Sequence, residues 1–398
     1  MEKTKNIPSL RFPEFDGEWK LQKIGEITEK VNSGKTPLGG ESVYVEKGVL
    51  FIRSQNVLDS KLSFENSTFI TETINSTMKN SVVKSNDILL NITGASLGRS
   101  CVVPNNFTIG NVNQHVCIIR LNKENNPYFV QPIFSSEKGQ NIFTSLQTGS
   151  GREGLNFQSI RGITLAFPFL QEQNKISTFL STVDDKLQAL KQKKTLLEQY
   201  KKGVMKRIFS QEIRFKDDNG NDYPDWEERK VKDIFILTRG SVLSMTLVSE
   251  KQDNENYYPV YSSQTKKNGL SGYYNKFLFE DCITWTTDGA GAGDVNFRKG
   301  KFYCTNVCGV LKSDKGYANV FIAEILNSIS RKYVSYVGNP KLMNNVMAEI
   351  SISIPLSIEE QTKIANFLSA IDDKINHCQE QIVNTEVWKK GLLQQMFV

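Results

Sequence analysis

The chain has 398 residues, of which 39% are hydrophobic and 23% are charged; this predicts two or three folded domains and excludes a chain that is disordered throughout. Its net charge of +6 is compatible with a nucleic-acid partner but does not demonstrate one. No apolar run approaches the roughly 18 residues of a membrane helix, no apolar leader follows Met1 and the six cysteines are scattered, so we expect a cytoplasmic protein with reduced thiols and no membrane partner.

The first part of the chain, residues 1–170, begins with a short segment around Trp19 and continues with strand-like runs. The runs at 49–53, 87–92 and 115–120 are apolar and β-branched, and clusters of Gly, Asn and Asp separate them. A helix is expected after the last of these runs and before residue 170. Residues 1–170 are therefore predicted to form a mixed α+β domain.

A long helix is predicted next, over residues 171–212. Its apolar positions recur at alternating spacings of four and three residues, which is typical of coiled-coil packing. The residues predicted to pair on this stripe are Ile176, Leu180, Val183, Leu187 and Leu190.

The second part of the chain repeats this order. A second Trp-containing segment around Trp226 opens a strand-rich domain over residues 213–357, and a second long helix follows over residues 358–398. The pairing residues predicted on the second helix are Ile364, Leu368, Ile371, Ile375 and Ile382.

The two helices are copies of one sequence. EQNKISTFLSTVDDK at 172–186 returns 188 residues later as EQTKIANFLSAIDDK at 360–374. Two domain–helix units related by a pseudo-two-fold axis would place the helices antiparallel, and a basic first helix suits a slightly acidic second one. The fold class predicted is α+β, with two mixed α/β domains joined by two long antiparallel coiled-coil-like helices. The alternative is that each helix packs only on its own domain.

Motifs for catalysis and for metal or cofactor binding are incomplete. The GKT at 34–36 lacks the earlier glycine of a phosphate-binding loop, and the glycine-rich run at 288–294 lacks the last glycine of a dinucleotide loop. The NPK at 339–341 lacks the second proline and the aromatic residue of an amino-methyltransferase motif. Cys304 and Cys308 have no second pair of zinc ligands nearby. We therefore expect no catalytic residue, no metal and no cofactor bound by this chain.

Polar, amide-rich loops remain as candidate DNA-binding sites. Arginine pairs with guanine and Asn or Gln with adenine through two parallel hydrogen bonds, whereas Lys, Ser and Thr suit phosphates. Ordinary solvated turns use the same residue types. The predicted DNA contacts in the first part are Lys35, Arg53, Gln55, Asn56, Ser96, Arg99 and Gln114. Those in the second part are Ser263, Gln264, Lys266, Lys267, Thr287 and Arg298.

Over essentially its whole length the sequence resembles the specificity (S) subunits of type I restriction–modification systems. The resemblance rests on the duplicated helices, each of which follows an apolar-Pro step at 167–168 or 354–355, and on the two Trp-containing segments. It also rests on the SGKTP segment at 33–37. The second half departs from that segment and reads RGSV at 239–242, which argues against a shared loop role there.

The resemblance implies two target recognition domains that each read one half of a bipartite double-stranded DNA sequence. It implies that the helices set the spacing of the half-sites and dock two modification (M) subunits, which methylate adenine, and that restriction (R) subunits join them. S-adenosylmethionine, ATP and Mg are then expected on these partners, and the chain itself is expected to be non-catalytic. Two rival functions stay open: a protein-only coiled-coil scaffold or adaptor without DNA specificity, and a single-chain enzyme with an unrecognised site.

Overall fold

The computed structural model describes residues 6–147 and 154–398, and the chain divides into two compact units. The first unit comprises Met1–Lys191 and Glu380–Val398, and the second comprises Gln192–Gln379. Each unit therefore contains one strand-rich domain together with part of each long helix. Within the described ranges, no helix is long and apolar enough to cross a membrane.

The first unit is built on two four-stranded sheets. Its strands are β1 (Lys20–Lys23), β2 (Thr28–Ser33), β3 (Val49–Ile52), β4 (Val57–Leu58), β5 (Lys61–Leu62), β6 (Thr68–Ile70), β7 (Val82–Val83), β8 (Ile88–Asn91), β9 (Ser100–Val102), β10 (Gly110–Val112), β11 (Val116–Leu121) and β12 (Thr164–Phe167). One sheet has the order β2-β11-β8-β9 and the other β6-β3-β10-β7, while β1 pairs with β12 and β4 with β5. Among the strands of this unit's described residues, only β3 and β10 pair in parallel.

Helices cover the first unit's strands and begin where the sequence supplies capping residues. They are α1 (Glu72–Ser76), α2 (Pro127–Ser135), α3 (Glu137–Leu146), α4 (Phe157–Gly162) and the first part of α5 (Leu170–Phe209). The side chain of Asn126 accepts a hydrogen bond from Tyr128 N at 2.8 Å, and Pro127 takes the first helical position, where no N–H is needed. The expected helix after the strands is thus α2.

The second unit has one six-stranded sheet. Its strands are β13 (Glu227–Lys230), β14 (Ile236–Arg239), β15 (Tyr258–Tyr261), β16 (Leu270–Tyr274), β17 (Phe279–Thr286), β18 (Val295–Cys304), β19 (Cys308–Lys312) and β20 (Ser351–Ile354). Its helices are α6 (Val231–Ile234), α7 (Val320–Ile329), α8 (Asn344–Glu349), the last part of α5 and the first part of α9 (Ile358–Gln395). The sheet order is β14-β19-β17-β18-β15-β16, and β13 pairs with β20.

The two units share one strand topology although their domain sequences differ. The run β14-β19-β17-β18 repeats the antiparallel order β2-β11-β8-β9, and the parallel pair β15–β18 repeats β3–β10. The ten-residue strand β18 takes the places of both β9 and β10, because residues 295–302 pair with β17 and the last two residues, Tyr303 and Cys304, pair with β15. The repeat therefore extends through both domains as well as the helices.

A buried glutamate ties each Trp-containing segment to the start of a long helix. In the first unit Glu172 is 2% exposed, its carboxylate accepts two hydrogen bonds of 2.8 Å from Arg11, and Trp19 Nε1 donates to it at 3.3 Å. In the second unit Arg214 and Trp226 meet Glu360 at 3.0 and 3.2 Å.

The glutamine after each buried glutamate closes the preceding Pro turn. Gln173 Nε2 donates to Pro168 O at 3.0 Å, and Gln361 Nε2 donates to Pro355 O at 2.7 Å. These contacts give the duplicated EQ and apolar-Pro elements a structural role at the start of α5 and α9.

The long helices pair antiparallel within each unit. In the first unit Ile176, Leu180 and Val183 share a core with Leu392 of α9 and with Met396, which directly follows that helix. In the second unit Ile364 and Leu368 share a core with Ile208 of α5. Each helix thus packs on the other helix and on a domain. Of the other predicted pairing residues, Ile371 and Ile382 are buried and Leu187, Leu190 and Ile375 are half-buried.

Lysine–aspartate pairs repeat across the two units in the same register. In the first unit Lys389 Nζ lies 2.5 Å from Asp184 Oδ1. In the second unit Lys201 Nζ lies 2.8 Å from Asp372 Oδ1. The two lysines are 188 residues apart in the sequence, and so are the two aspartates. Burial by itself lowers the pKa of Lys201, but its hydrogen bonds to Asp372 and Glu324 outweigh burial and raise that pKa above its ordinary value.

Gly203 in α5 and Gly391 in α9 occupy corresponding helical positions, and a Cβ added at either would meet no atom within 4 Å. Because glycine disfavours a helix interior relative to alanine, we expect Gly203→Ala and Gly391→Ala each to raise the free energy of unfolding by about 0.5–1 kcal/mol. Denaturant titration measures the change. Gly139→Ala in α3 is the control, since its Cβ would lie 2.2 Å from Ile133 O and should destabilise the protein. A loss of stability in Gly203→Ala would contradict the prediction.

Candidate nucleic-acid interface

Corresponding glycines cross a neighbouring strand closely in both units. In the first unit Gly34 N donates to Asn113 O at 3.2 Å, and a Cβ on Gly34 would lie 1.6 Å from Val112 O. In the second unit Gly240 N donates to Cys308 O at 3.0 Å, and a Cβ there would lie 2.2 Å from Cys304 O. Our expectation that RGSV at 239–242 lacks the loop role of the SGKTP segment is therefore wrong for the glycine, because both crossings need a residue without a side chain.

The loops next to this crossing in the first unit form an open groove of about 530 Å³. The residues that line it are Arg53, Ser54, Gln55, Thr93, Gly94, Ala95, Ser96, Arg99, Asn113 and His115. Four of the seven DNA contacts predicted in the first part thus share one surface. They come from the turn after β3 and the turn after β8, which the strand pairing brings together.

The side chain of Arg53 lies at the groove and has a guanidinium N–H donor without a hydrogen-bond partner. Its side chain is 27% exposed, its guanidinium lies 5.8 Å from the Tyr44 ring centre, and Nη1 is 4.0 Å from Glu41 Oε1. The buried Nε has no hydrogen-bond partner. A buried donor without an acceptor is unfavourable, so a ligand acceptor placed here would be stabilised.

Asn56 and Asn91 support the groove from beneath. Asn56 is 2% exposed, its Oδ1 accepts from Arg53 N at 3.0 Å and its Nδ2 donates to Ser63 O at 3.2 Å. Asn91 Nδ2 donates to Ser54 O at 2.9 Å and to Ser96 Oγ at 3.1 Å. The structure thus places Asn56, a predicted DNA contact, inside the turn that presents its neighbours.

A hydrogen-bonded chain of four side chains crosses the rim of the groove. Thr36 Oγ1 donates to Gln114 Oε1, and Gln114 Nε2 lies 3.0 Å from His115 Nε2. His115 Nδ1 lies 2.6 Å from Thr93 Oγ1. The sequence suggested that His115 lies in a strand, but the structure places it in the turn before β11. Lys35, another predicted contact, is exposed beside Thr36.

In the second unit the corresponding loops form a smaller pocket of about 150 Å³. The residues that line it are Gln264, Thr265, Asn268, Gly269, Thr286, Asp294, Val295, Asn296, Arg298 and Asn327. Two predicted contacts, Gln264 and Arg298, are among them. Lys266 and Lys267 are exposed in the adjoining turn, and Ser263 is half-buried where that turn leaves β15.

Arg298 is 8% exposed and lies at the edge of this pocket. Its Nε donates to Thr284 Oγ1 at 3.0 Å, its Nη2 donates to Asn268 O at 2.7 Å, and its guanidinium stacks 3.8 Å from the Tyr261 ring centre. In the described part of the chain no carboxylate lies within 4 Å of it, and burial lowers its pKa. Thr287, by contrast, is fully buried, with its hydroxyl 3.0 Å from Val307 O.

Sequence reasoning missed a hairpin beside this pocket. Ser335 and Lys341 pair across it, and its tip exposes Tyr336 and Val337 at 68% and 93%. The hairpin is joined to the turn after β17, because Leu342 N donates to Thr287 O at 2.9 Å. The sequence offered one signal for this turn, the run Gly338-Asn339-Pro340 that follows the apolar pair.

The described ranges contain no group of three or more His, Cys, Asp or Glu side chains arranged to hold a metal ion. Cys101, Cys117, Cys282, Cys304 and Cys308 are buried and free. The chemistry that the two grooves offer is therefore hydrogen bonding by amides, hydroxyls and guanidinium groups.

Comparison with known proteins points to one family. The family model described as type I restriction modification DNA specificity domain matches residues 16–199 and 223–385. A Mycoplasma pneumoniae protein described as a type I specificity subunit is 34% identical over 247 residues, which cover 60% of this chain and 86% of that protein.

Two solved structures share the fold. The S subunit of a type I restriction–modification system from M. genitalium matches with a TM-score of 0.66 and 16% identity, covering 98% of this chain and 99% of that one. A chain from a structural study of complex assembly and conformational transition in a type I system matches with a TM-score of 0.56 and 13% identity, covering 96% of this chain and 98% of that one.

Proposed function

The chain belongs to the family of type I restriction–modification DNA specificity subunits, and on this premise we propose that it selects a bipartite double-stranded DNA target for partner subunits that carry out the chemistry. The duplication carries the proposal: each unit presents a polar groove at corresponding loops of one strand topology. Two such grooves suit two half-sites, one for each domain.

Base reading in this proposal falls to the amides and guanidinium groups of the grooves. Arg53 and Arg99 offer paired N–H donors, and Gln55 offers one donor and one acceptor; both patterns match base edges in the major groove. Lys35, Lys266 and Lys267 are exposed and suit phosphates, so binding should weaken as salt rises. The loops that make these contacts are held in place by three buried side chains, those of Asn56, Thr287 and Arg298.

The partners in this proposal are two M subunits and the R subunits. S-adenosylmethionine, ATP and Mg act on those partners, and the chain itself is non-catalytic. Methylation of an adenine requires that base to leave the stack and enter an M-subunit pocket. The antiparallel helices then act as the spacer between the half-sites and as the docking surface for M.

Long-read methylation mapping tests the proposal in a host that expresses the chain with its cognate M subunit. We expect a split motif with two constant halves, a constant gap and methyladenine on both strands. Exchange of residues 1–170 for another S subunit's domain should change one half only. A stable complex with M but no motif would instead identify a protein-only scaffold, and modification by the purified chain alone would identify a single-chain enzyme.

Arg53→Ala is expected to relax the motif at one base of the first half-site and to reduce discrimination there by about 1–3 kcal/mol, because an arginine–base pair is lost. Methylation mapping of the variant measures the change. Arg229→Ala is the matched control, since Arg229 lies on β13 and pairs with Glu227 at 2.6 Å, and its motif should be unchanged. An unchanged motif in Arg53→Ala would remove Arg53 from the base-reading residues.

A further inference from the structure

Backbone hydrogen bonds establish which groove residues correspond between the two units. In the first unit Ile52 pairs with Val112, and Asn113 N donates to Ile52 O at 3.1 Å. In the second unit Thr305 N donates in the same way to Tyr261 O, at 2.9 Å. Ile52 and Tyr261 therefore occupy the same place, and counting onward along the sequence from these two residues aligns the first residues of the two turns. The corresponding pairs are Arg53/Ser262, Ser54/Ser263, Gln55/Gln264 and Asn56/Thr265.

The opposite side of each groove confirms this correspondence. Ile92 N donates to His115 O at 3.0 Å, and Ile92 O accepts from Leu155 N at 2.9 Å. Thr287 N and O make the same two bonds, to Val307 O at 3.0 Å and from Leu342 N at 2.9 Å. The further corresponding pairs are Thr93/Asp288, Asn113/Thr305, Gln114/Asn306 and His115/Val307.

Only the Ser-Gln step is the same in both units among these eight pairs. In the second unit a serine stands at the position of Arg53, an aspartate at that of Thr93 and a valine at that of His115. The two grooves therefore differ in charge and in hydrogen-bonding groups. The serine is half-buried in both units and the glutamine is exposed in both. An exposed side chain shared by two otherwise different binding surfaces indicates a contact that both surfaces make.

The hydrogen-bonding groups of a glutamine amide match those of adenine. Adenine presents an acceptor and a donor on its major-groove edge, which a glutamine matches with one N–H and its oxygen. In the second unit Gln264 Nε2 already donates to Leu270 O. An amide has two N–H groups, so this bond orients Gln264 and leaves one N–H and Oε1 for the base.

We propose that Gln55 and Gln264 read the same base, an adenine, at corresponding positions of the two half-sites, each on its own strand. The unlike pairs, such as Arg53 with Ser262 and His115 with Val307, read the positions at which the half-sites differ. This inference rests on the proposed function and adds to it which residues recognise the shared part of the target.

Methylation mapping of single variants with the cognate M subunit tests the inference. Gln55→Ala should relax the motif at an adenine of the first half-site and slow methylation at that site about tenfold or more, leaving the second half unchanged. Gln264→Ala should do the same at the corresponding adenine of the second half-site. Arg53→Ser, which installs the residue found at the same place in the second unit, is the control and should alter a different base. Melting temperature and co-purification with M confirm that each variant is folded and assembled.

The outcomes separate this inference from the function on which it rests. A wild-type split motif without an adenine at corresponding positions overturns the inference alone. Relaxation at a base that the half-sites do not share, or an unchanged motif in both glutamine variants, also overturns it. Absence of any motif from the wild-type complex overturns the proposed function and the inference with it.

Discussion

Glu172→Ala is expected to lower the free energy of unfolding by about 3–5 kcal/mol, which is the range observed when one partner of a buried ion pair is removed. Glu172 receives two hydrogen bonds of 2.8 Å from Arg11 and one of 3.3 Å from Trp19. Without the carboxylate, the Arg11 guanidinium, whose side chain is 13% exposed, loses its ion-pair partner. Glu360→Ala should have a similar effect through Arg214 and Trp226.

Denaturant unfolding followed by tryptophan fluorescence measures this loss, since Trp19 and Trp226 touch the two carboxylates. The matched control is Glu14→Ala, which removes an exposed ion pair of 3.1 Å with Lys175 near the same helix start. Exposed pairs contribute less than about 1 kcal/mol, so this variant should unfold almost as the wild type does. A loss below about 1 kcal/mol in both Glu172→Ala and Glu360→Ala would show that these carboxylates are not structural anchors.

Gly34→Ala is expected to destabilise the first unit by about 3 kcal/mol or more, because the added methyl group would lie 1.6 Å from Val112 O. The neighbouring atom belongs to the backbone of β10, so relief requires the crossing segment to move away from the strand. The groove would then lose its rim, and we expect methylation of the first half-site to be lost along with stability. Gly240→Ala should act in the same way on the second unit, where the Cβ would lie 2.2 Å from Cys304 O.

Thermal unfolding and methylation mapping together measure the effect of Gly34→Ala. Gly154→Ala is the control at the edge of the same groove, because its Cβ would meet Thr93 Cγ2 at 3.4 Å, an ordinary contact. We expect this control to keep both its melting temperature and its motif. A Gly34→Ala protein with the melting temperature of the wild type would contradict the assignment of the glycine crossing.

Residue type and position were enough to select part of the candidate site. Arg53, Gln55, Ser96 and Arg99 were predicted from their chemistry in Gly- and Asn-rich loops, and they line one groove. His115, which was not among the predicted contacts, lies on the same surface. Its place depends on the pairing of β8 with β11, which brings together residues far apart in the chain.

Burial decided the roles of the other predicted contacts. Asn56 and Thr287 have the right chemistry for DNA but point inward, where Asn56 bonds the backbone of its own loop and Thr287 bonds the backbone of the turn before β19. Arg298 is nearly enclosed by Thr284, Asn268 and Tyr261. A loop sequence does not reveal which of its polar side chains bonds its own backbone and which meets a ligand, because both need the same donors and acceptors.

The helices, their duplication and their antiparallel pairing follow from the residue pattern alone. Apolar periodicity is a local property of a helix, and two copies of one stripe can bury each other in only a few ways. Lys389–Asp184 and Lys201–Asp372 confirm that register. The shared topology of the two domains, and the equivalence of Ile52 and Tyr261 from which Gln55 is aligned with Gln264, became visible only in the fold. Strand pairing is made by backbone groups, which are the same for every residue except proline, so two domains can keep one hydrogen-bond pattern while their side chains diverge.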